Sequence, residues 1–205
     1  MKVGPKYKIA RRLGAPVFEK TQTQKFALSL AKKSSGPKSR THRSQITDYG
    51  FQIKEKQKAR YSYLLTEKQF SKYVKKALTQ SSADKSGLLF EILERRLDNV
   101  VLRAGLASTR GAARQMVSHG HITVNGRKVD IPSFETKIGD KINIKDSSLG
   151  KGIARNMEEK SNEFNTPEWI KFDPNKKEAE ITAKPNLGKV DNLFNLNTVL
   201  EFYSR

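Results

Sequence analysis

Hydrophobic positions along this chain recur first with a helical period and then with a strand period, and the change outlines its elements. Gly4-Pro5, Gly14-Ala15-Pro16 and Gly36-Pro37 break the first 47 residues, which show little helical periodicity. Residues 48–80 then read as a helical hairpin. In its second half Phe70, Tyr73, Val74, Ala77 and Leu78 share one face, and Thr66 with Gln69 fits a capping box at the start. Leu88, Leu89, Ile92, Leu93 and Leu97 continue an apolar helical run. Leu97, Val100 and Val101 mark the buried side of a helix that stops at Gly105. Ser108-Thr109 caps another, with Ala113, Met116 and Val117 inside and Arg110 and Arg114, one turn apart, outside.

Beyond Gly120 the period drops to two. Ile122-Thr-Val124, the turn Asn125-Gly126 and residues 128–131 predict a two-residue hairpin, and residues 141–145 a further strand. Strand candidates follow at 168–172 and 178–182, and the break Pro185-Asn-Leu-Gly188 precedes an apolar close at 193–203. Trp169 and Phe172 read as core residues. Helices followed by short strands predict an α+β fold: a basic N-terminal arm (1–47), a small helical domain (48–92), a module of two helices on a small, mostly antiparallel sheet (93–155), and a C-terminal segment (156–205) packing back on the rest.

Charge adds a partner to this picture. With 40 Lys and Arg against 21 Asp and Glu, the formal net charge is +19. An excess of that size implies a polyanion, because the chain otherwise suffers its own repulsion. It is also unevenly laid out. Residues 1–47 carry twelve basic residues against one acid, Glu19, whereas residues 156–205 carry seven against nine. Such a gradient predicts an oriented contact surface rather than a uniform solubilising coat. The arm has two readings, a segment ordered by nucleic acid or a disordered basic tail, with Tyr7, Ile9, Leu13, Val17 and Phe18 hinting at packing. Candidate phosphate contacts are Lys2, Lys6, Lys8, Arg11 and Arg12 in the arm, then Arg40 and Arg43. Lys54, Lys56, Lys58 and Arg60 follow, then Lys68, Lys72 and Lys76 in line on one helix. The two-helix module adds Arg95, Arg103, Arg110, Arg114, Arg127 and Lys128.

Several chemistries are not expected. The chain has no cysteine, so disulfides and thiolate metal sites are excluded. His42, His119 and His121 lack an acidic cluster, and no metal or cofactor is predicted. His119 and His121 have both an RNA-contact and a structural reading. No apolar run approaches the roughly 20 residues of a membrane span, no signal-peptide core appears, and the cytoplasm is the expected compartment. Neither a phosphate-binding glycine loop nor a serine elbow occurs, and Glu158-Glu159 reads as a solvated pair. No enzyme and no small-molecule substrate is predicted.

The segments Arg95-Arg-Leu-Asp-Asn-Val-Val, Ser108-Thr-Arg-Gly-Ala-Ala-Arg-Gln-Met-Val-Ser-His119 and Ile122-Thr-Val-Asn-Gly-Arg127 resemble the RNA-binding module named after bacterial ribosomal protein S-four. RNA-modifying enzymes share that module, so alone it leaves both classes open. The remainder resembles the ribosomal family itself: Asp48-Tyr-Gly50, Glu55-Lys-Gln-Lys58 and Glu67-Lys-Gln-Phe70 its helical domain, Gly4-Pro-Lys6 with Arg11-Arg12 its start, and Leu200-Glu-Phe-Tyr-Ser-Arg205 its end. One departure stands in the arm. Many relatives there carry a cysteine-ligated zinc or a Pro-Gly-x-His-Gly element, and this chain has Gly36-Pro-Lys-Ser-Arg-Thr-His42 instead, so the path of residues 21–44 against RNA is open.

The resemblance implies a structural constituent of the small ribosomal subunit, bound directly to its ribosomal RNA at a junction of several helices and nucleating assembly of the body. It further implies contact with ribosomal protein S-five, a contribution to decoding accuracy, and proximity to messenger RNA where it enters the subunit. Two alternatives stand beside this reading. An RNA-modifying enzyme needs a catalytic domain of roughly 150 residues, more than either flank of 95–155 supplies. A free RNA-binding translational regulator is compatible with the ribosomal role.

Overall fold

The protein's structure, a computed structural model, describes residues 3–35, 47–149, 166–174, 176–189 and 193–204. Lys2, Arg40, Arg43, His42 and the Glu158-Glu159 pair lie outside the described residues. The chain divides into two compact units, Met1–Leu89 with Gly188–Arg205, and Phe90–Leu187.

The first unit is helical. It contains α1 (Lys6–Leu13), α2 (Gln24–Ser35), α3 (Asp48–Ser62) and α4 (Glu67–Thr79). The first 47 residues show little helical periodicity, yet two helices form within residues 3–35. Both early helices exist, and α1 completes only about two turns, too few for a period to show in sequence. Ala10, Leu13, Ala15, Val17, Phe18 and Phe26 bury together with Leu64, and Phe18 meets the edge of Tyr61 at 5.8 Å. This arm therefore has its own small core. The Thr21 hydroxyl donates to the Phe18 carbonyl at 2.7 Å and fixes the short helical turn between α1 and α2.

Capping accounts for the starts of the next two helices. Thr47 Oγ1 accepts from the Gly50 amide at 3.2 Å to open α3, and Thr66 accepts from the Gln69 amide at 3.3 Å to open α4. Gln69 reaches back to the Thr66 amide, completing the capping box read from the sequence. Phe70, Val74 and Ala77 are wholly buried on one face of α4.

In the second unit, α6 (Leu97–Arg103) and α7 (Arg110–Ser118) precede a five-stranded antiparallel sheet. Helix α5 (Lys85–Glu94) leads into it. The sheet comprises β1 (Ile122–Val124), β2 (Arg127–Lys128), β3 (Lys141–Ile144), β4 (Ile170–Asp173) and β5 (Glu178–Ile181), in the order β2-β1-β3-β5-β4. Asn125 and Gly126 have φ of 51° and 77°, the left-handed pair that a tight two-residue hairpin requires. Ile122, Val124, Ile142, Ile144, Ala179 and Ile181 point to one face and share a core with Leu97, Val100, Val101, Ala113, Met116, Val117 and Trp169. Burying an aliphatic side chain of this kind contributes roughly 1.5–3 kcal/mol. Short as α8 (Asp146–Leu149) is, it positions Ser148 Oγ 2.9 Å from Nδ1 of His121, a structural role for that histidine.

The C-terminal segment is split between the units. Residues 170–181 supply β4 and β5 to the sheet, while α9 (Leu196–Ser204) packs on α3 and α4.

Candidate nucleic-acid interface

Two buried carboxylates organise the arginines around α6. Glu94, 1% exposed, accepts Arg103 Nε at 2.9 Å and Nη2 at 2.8 Å, and also Asn99 Nδ2 at 2.7 Å. Asp98 accepts Arg96 Nη2 at 2.8 Å and Arg114 Nη2 at 2.7 Å on one oxygen, and Arg96 Nε at 3.1 Å on the other. Asn99 Oδ1 in turn accepts Arg110 Nη2 at 2.8 Å. Arg95 pairs with Glu91 at 2.8 Å and donates from Nε to the Thr136 carbonyl. The cluster thus sets three guanidiniums on two buried carboxylates, with the fourth, Arg110, held by Asn99, and stays net positive, each planar fork in a fixed orientation.

This corrects the expectation that Arg110 and Arg114 form an outward face of α7. Both are only partly exposed and are drawn toward α6. The reason is electrostatic: the buried Asp98 carboxylate draws in Arg114 as a second cation beside Arg96, and Asn99 Oδ1 takes Arg110. The organising residues Glu94, Asp98 and Asn99 were not singled out in the sequence. Their signal was a polar pair inside an otherwise apolar helical stretch.

On the helical unit the candidates fall into two groups. Lys56 is buried; its ammonium is 2.7 Å from Glu67 and 4.6 Å from the Phe202 ring centre. Lys58 pairs with Glu55 at 2.6 Å, and Arg60 Nε is 2.9 Å from Gln57 and 3.4 Å from Glu67. Along α3, Lys56, Lys58 and Arg60 thus meet protein partners, and Lys54 is partly buried. By contrast Lys68, Lys72 and Lys76 are exposed on α4, opposite Phe70 and Val74, and Lys75, missed in the sequence, joins them one turn from Lys72. Lys8, Arg11 and Arg12 are likewise exposed on α1, opposite Ala10 and Leu13, and Lys6 sits 5.7 Å from the Phe18 ring centre. Arg127 and Lys128 are exposed on β2, and the Lys128 stem lies where a Cβ at Gly120 would collide with it.

Lys56 and two carboxylates hold the C-terminal end against α3 and α4. Tyr203 donates its hydroxyl to Glu67 at 2.8 Å, and Glu55 accepts from the Asn195 amide at 2.8 Å. Burial alone pushes the Glu67 carboxyl up, but hydrogen bonds from Lys56 and Tyr203, with the charges of Lys56 and Arg60, outweigh it and hold the group below its ordinary 4.5. Burial, then the bond to Glu67 and its charge, pushes the Tyr203 phenol well above its ordinary 10.0. The depressed Glu67 contributes stability that is present above 4.5 and lost as pH falls through its folded value. The raised Tyr203 contributes stability that is present below 10.0 and lost as pH rises toward its folded value. Tyr203→Phe should therefore destabilise the helical unit by about 1 kcal/mol or less near neutrality, since the site is half exposed, and by less in acid. Thermal melts of both proteins across that range would reveal the difference; a cost independent of pH would refute the latch.

The fold, with cations on several faces and no cluster of metal-ligating side chains among the described residues, defines an α+β protein suited to a polyanion. The family described as "S4 domain" matches residues 95–142, and that described as "Ribosomal protein S4/S9 N-terminal domain" matches residues 2–95. A protein named "Small ribosomal subunit protein uS4" from Roseiflexus sp. (strain RS-1) is 40% identical over 204 residues, covering 98% of each chain. Proteins of the same name from Herpetosiphon aurantiacus and Ligilactobacillus salivarius are 39% and 40% identical, again over 98% of each chain. The chain belongs to the small ribosomal subunit protein uS4 family, a family of ribosomal proteins and not of enzymes.

Proposed function

We propose that this chain is a structural protein of the small ribosomal subunit, resident in cytoplasmic ribosomes, that binds the subunit's RNA directly and clamps a junction of RNA helices early in assembly. The observation that carries the reading is the division of its cations. One set is locked onto buried carboxylates and stays net positive; another stands exposed on α1, α4 and β2. Lysine and arginine on rigid elements suit recognition by backbone and shape, because the deep major groove of RNA resists side-chain reading. Full-length similarity to relatives named as small-subunit proteins supports the same reading.

Contact with ribosomal protein S-five, a part in decoding accuracy and nearness to incoming messenger RNA belong to this proposal through the family resemblance. Sedimentation tests its core. The protein should comigrate with small subunits in stoichiometric amount and stay bound through a moderate salt wash; recovery only in the free protein fraction would overturn it.

A further inference from the structure

The sheet has a second face, and it is not used by the core. Opposite Ile122, Ile142 and Ala179, the alternate positions Thr123, Lys141, Asn143 and Glu178 line an open groove of about 530 Å³. Lys128 enters it from β2, Lys145 from the end of β3, and Lys176 and Lys177 from the turn joining β4 to β5. Five lysines therefore surround the groove, against Asp146 and Glu178. Glu178 is itself engaged, accepting Asn143 Nδ2 at 2.9 Å with Lys141 Nζ at 3.6 Å, so the groove is net positive.

We infer that this groove is a second RNA-backbone site, distinct from the arginine cluster of α6 and α7, which takes successive phosphates of one strand laid across β2, β1, β3 and β5. Four adjacent strands at about 4.8 Å spacing span roughly 14 Å, long enough for several phosphates. The lining chemistry narrows the ligand. Among the described residues no aromatic ring lines the groove, so they offer unstacked bases no platform there. Its cations among the described residues are all lysines, compact point charges that hold phosphate without reading base identity. A protein partner fits less well, because interface cores are depleted in lysine and built on aromatic or apolar anchors. The inference rests on the RNA-binding reading above.

A direct test uses the full chain bound to small-subunit ribosomal RNA. Because the chain has no cysteine, Lys145→Cys carries a hydroxyl-radical-generating iron chelate at one place only, with Ser71→Cys on α4 as a second position. The groove probe should cut discrete RNA strands. In parallel, Lys141→Gln with Lys145→Gln and Lys176→Gln should weaken binding at least about tenfold at physiological salt and lower the log–log salt slope by roughly 2. Unchanged affinity and slope, with cutting from α4 and none from the groove, would overturn the inference and leave the RNA reading intact. A wild-type chain that fails to bind the RNA would instead overturn that reading, and this one with it. Crosslinking from position 145 to an acidic protein within intact subunits, without RNA cutting, would assign the groove to a protein.

Discussion

Replacing Asp98 by alanine should destabilise the sheet-bearing unit by about 3–5 kcal/mol, the range for removing one partner of a buried ion pair. Asp98 is 5% exposed, and the Arg96 side chain it faces is 4% exposed, so the change strips the carboxylate from an almost wholly buried guanidinium. Arg114 loses the same acceptor. Since domains are stable by only about 5–15 kcal/mol, one substitution removes a large part of the margin. Asp98→Asn should cost less, because it keeps one acceptor oxygen. Urea unfolding of both variants decides the point, and a loss below about 1 kcal/mol for alanine would show that the pair is dispensable. The same geometry changes how Arg114 must be probed. Arg114→Glu sets a second carboxylate against Asp98 and weakens RNA binding through stability as well as charge.

Where a signal was local, the sequence carried it. The capping box at Thr66 and Gln69, the left-handed turn at Asn125-Gly126 and the apolar stripe through Phe70, Val74 and Ala77 are each set within a few residues, and each stands in the structure. What escaped depends on distant partners. The pairing of Ile142 with Ala179 brings residues far apart in sequence into one sheet, and nothing near either strand specifies the other. Direction was the second loss. Arg110 and Arg114 lie on a face that helical periodicity assigns to solvent, and only the placement of Asp98 and Asn99 draws them inward. Lys56 was misdirected in the same way, toward Glu67 and the aromatic end of α9. Charge marked these residues as basic without saying whether phosphate or carboxylate receives them.

Reversing Lys68, Lys72, Lys75 and Lys76 together to glutamate should weaken binding to small-subunit ribosomal RNA by about 100-fold or more and lower the log–log salt slope by roughly 3. The estimate follows from counterion release, each lost phosphate contact removing about 0.7–0.9 from the slope. All four side chains are exposed on α4, and Phe70, Val74 and Ala77 on the opposite face keep their burial, so the fold should survive. The glutamine version separates two contributions: it deletes contacts without adding repulsion and should show most of the slope change with a smaller loss of affinity. Lys56→Gln is the contrast that decides between binding and scaffolding. Its ammonium is buried against Glu67 and Phe202, so it should lower the melting temperature while leaving the salt slope nearly unchanged. Filter-binding titrations across a salt series read both quantities. An unaltered slope in the α4 variant would remove that helix from the RNA contact and leave α1, β2 and the sheet groove to carry it.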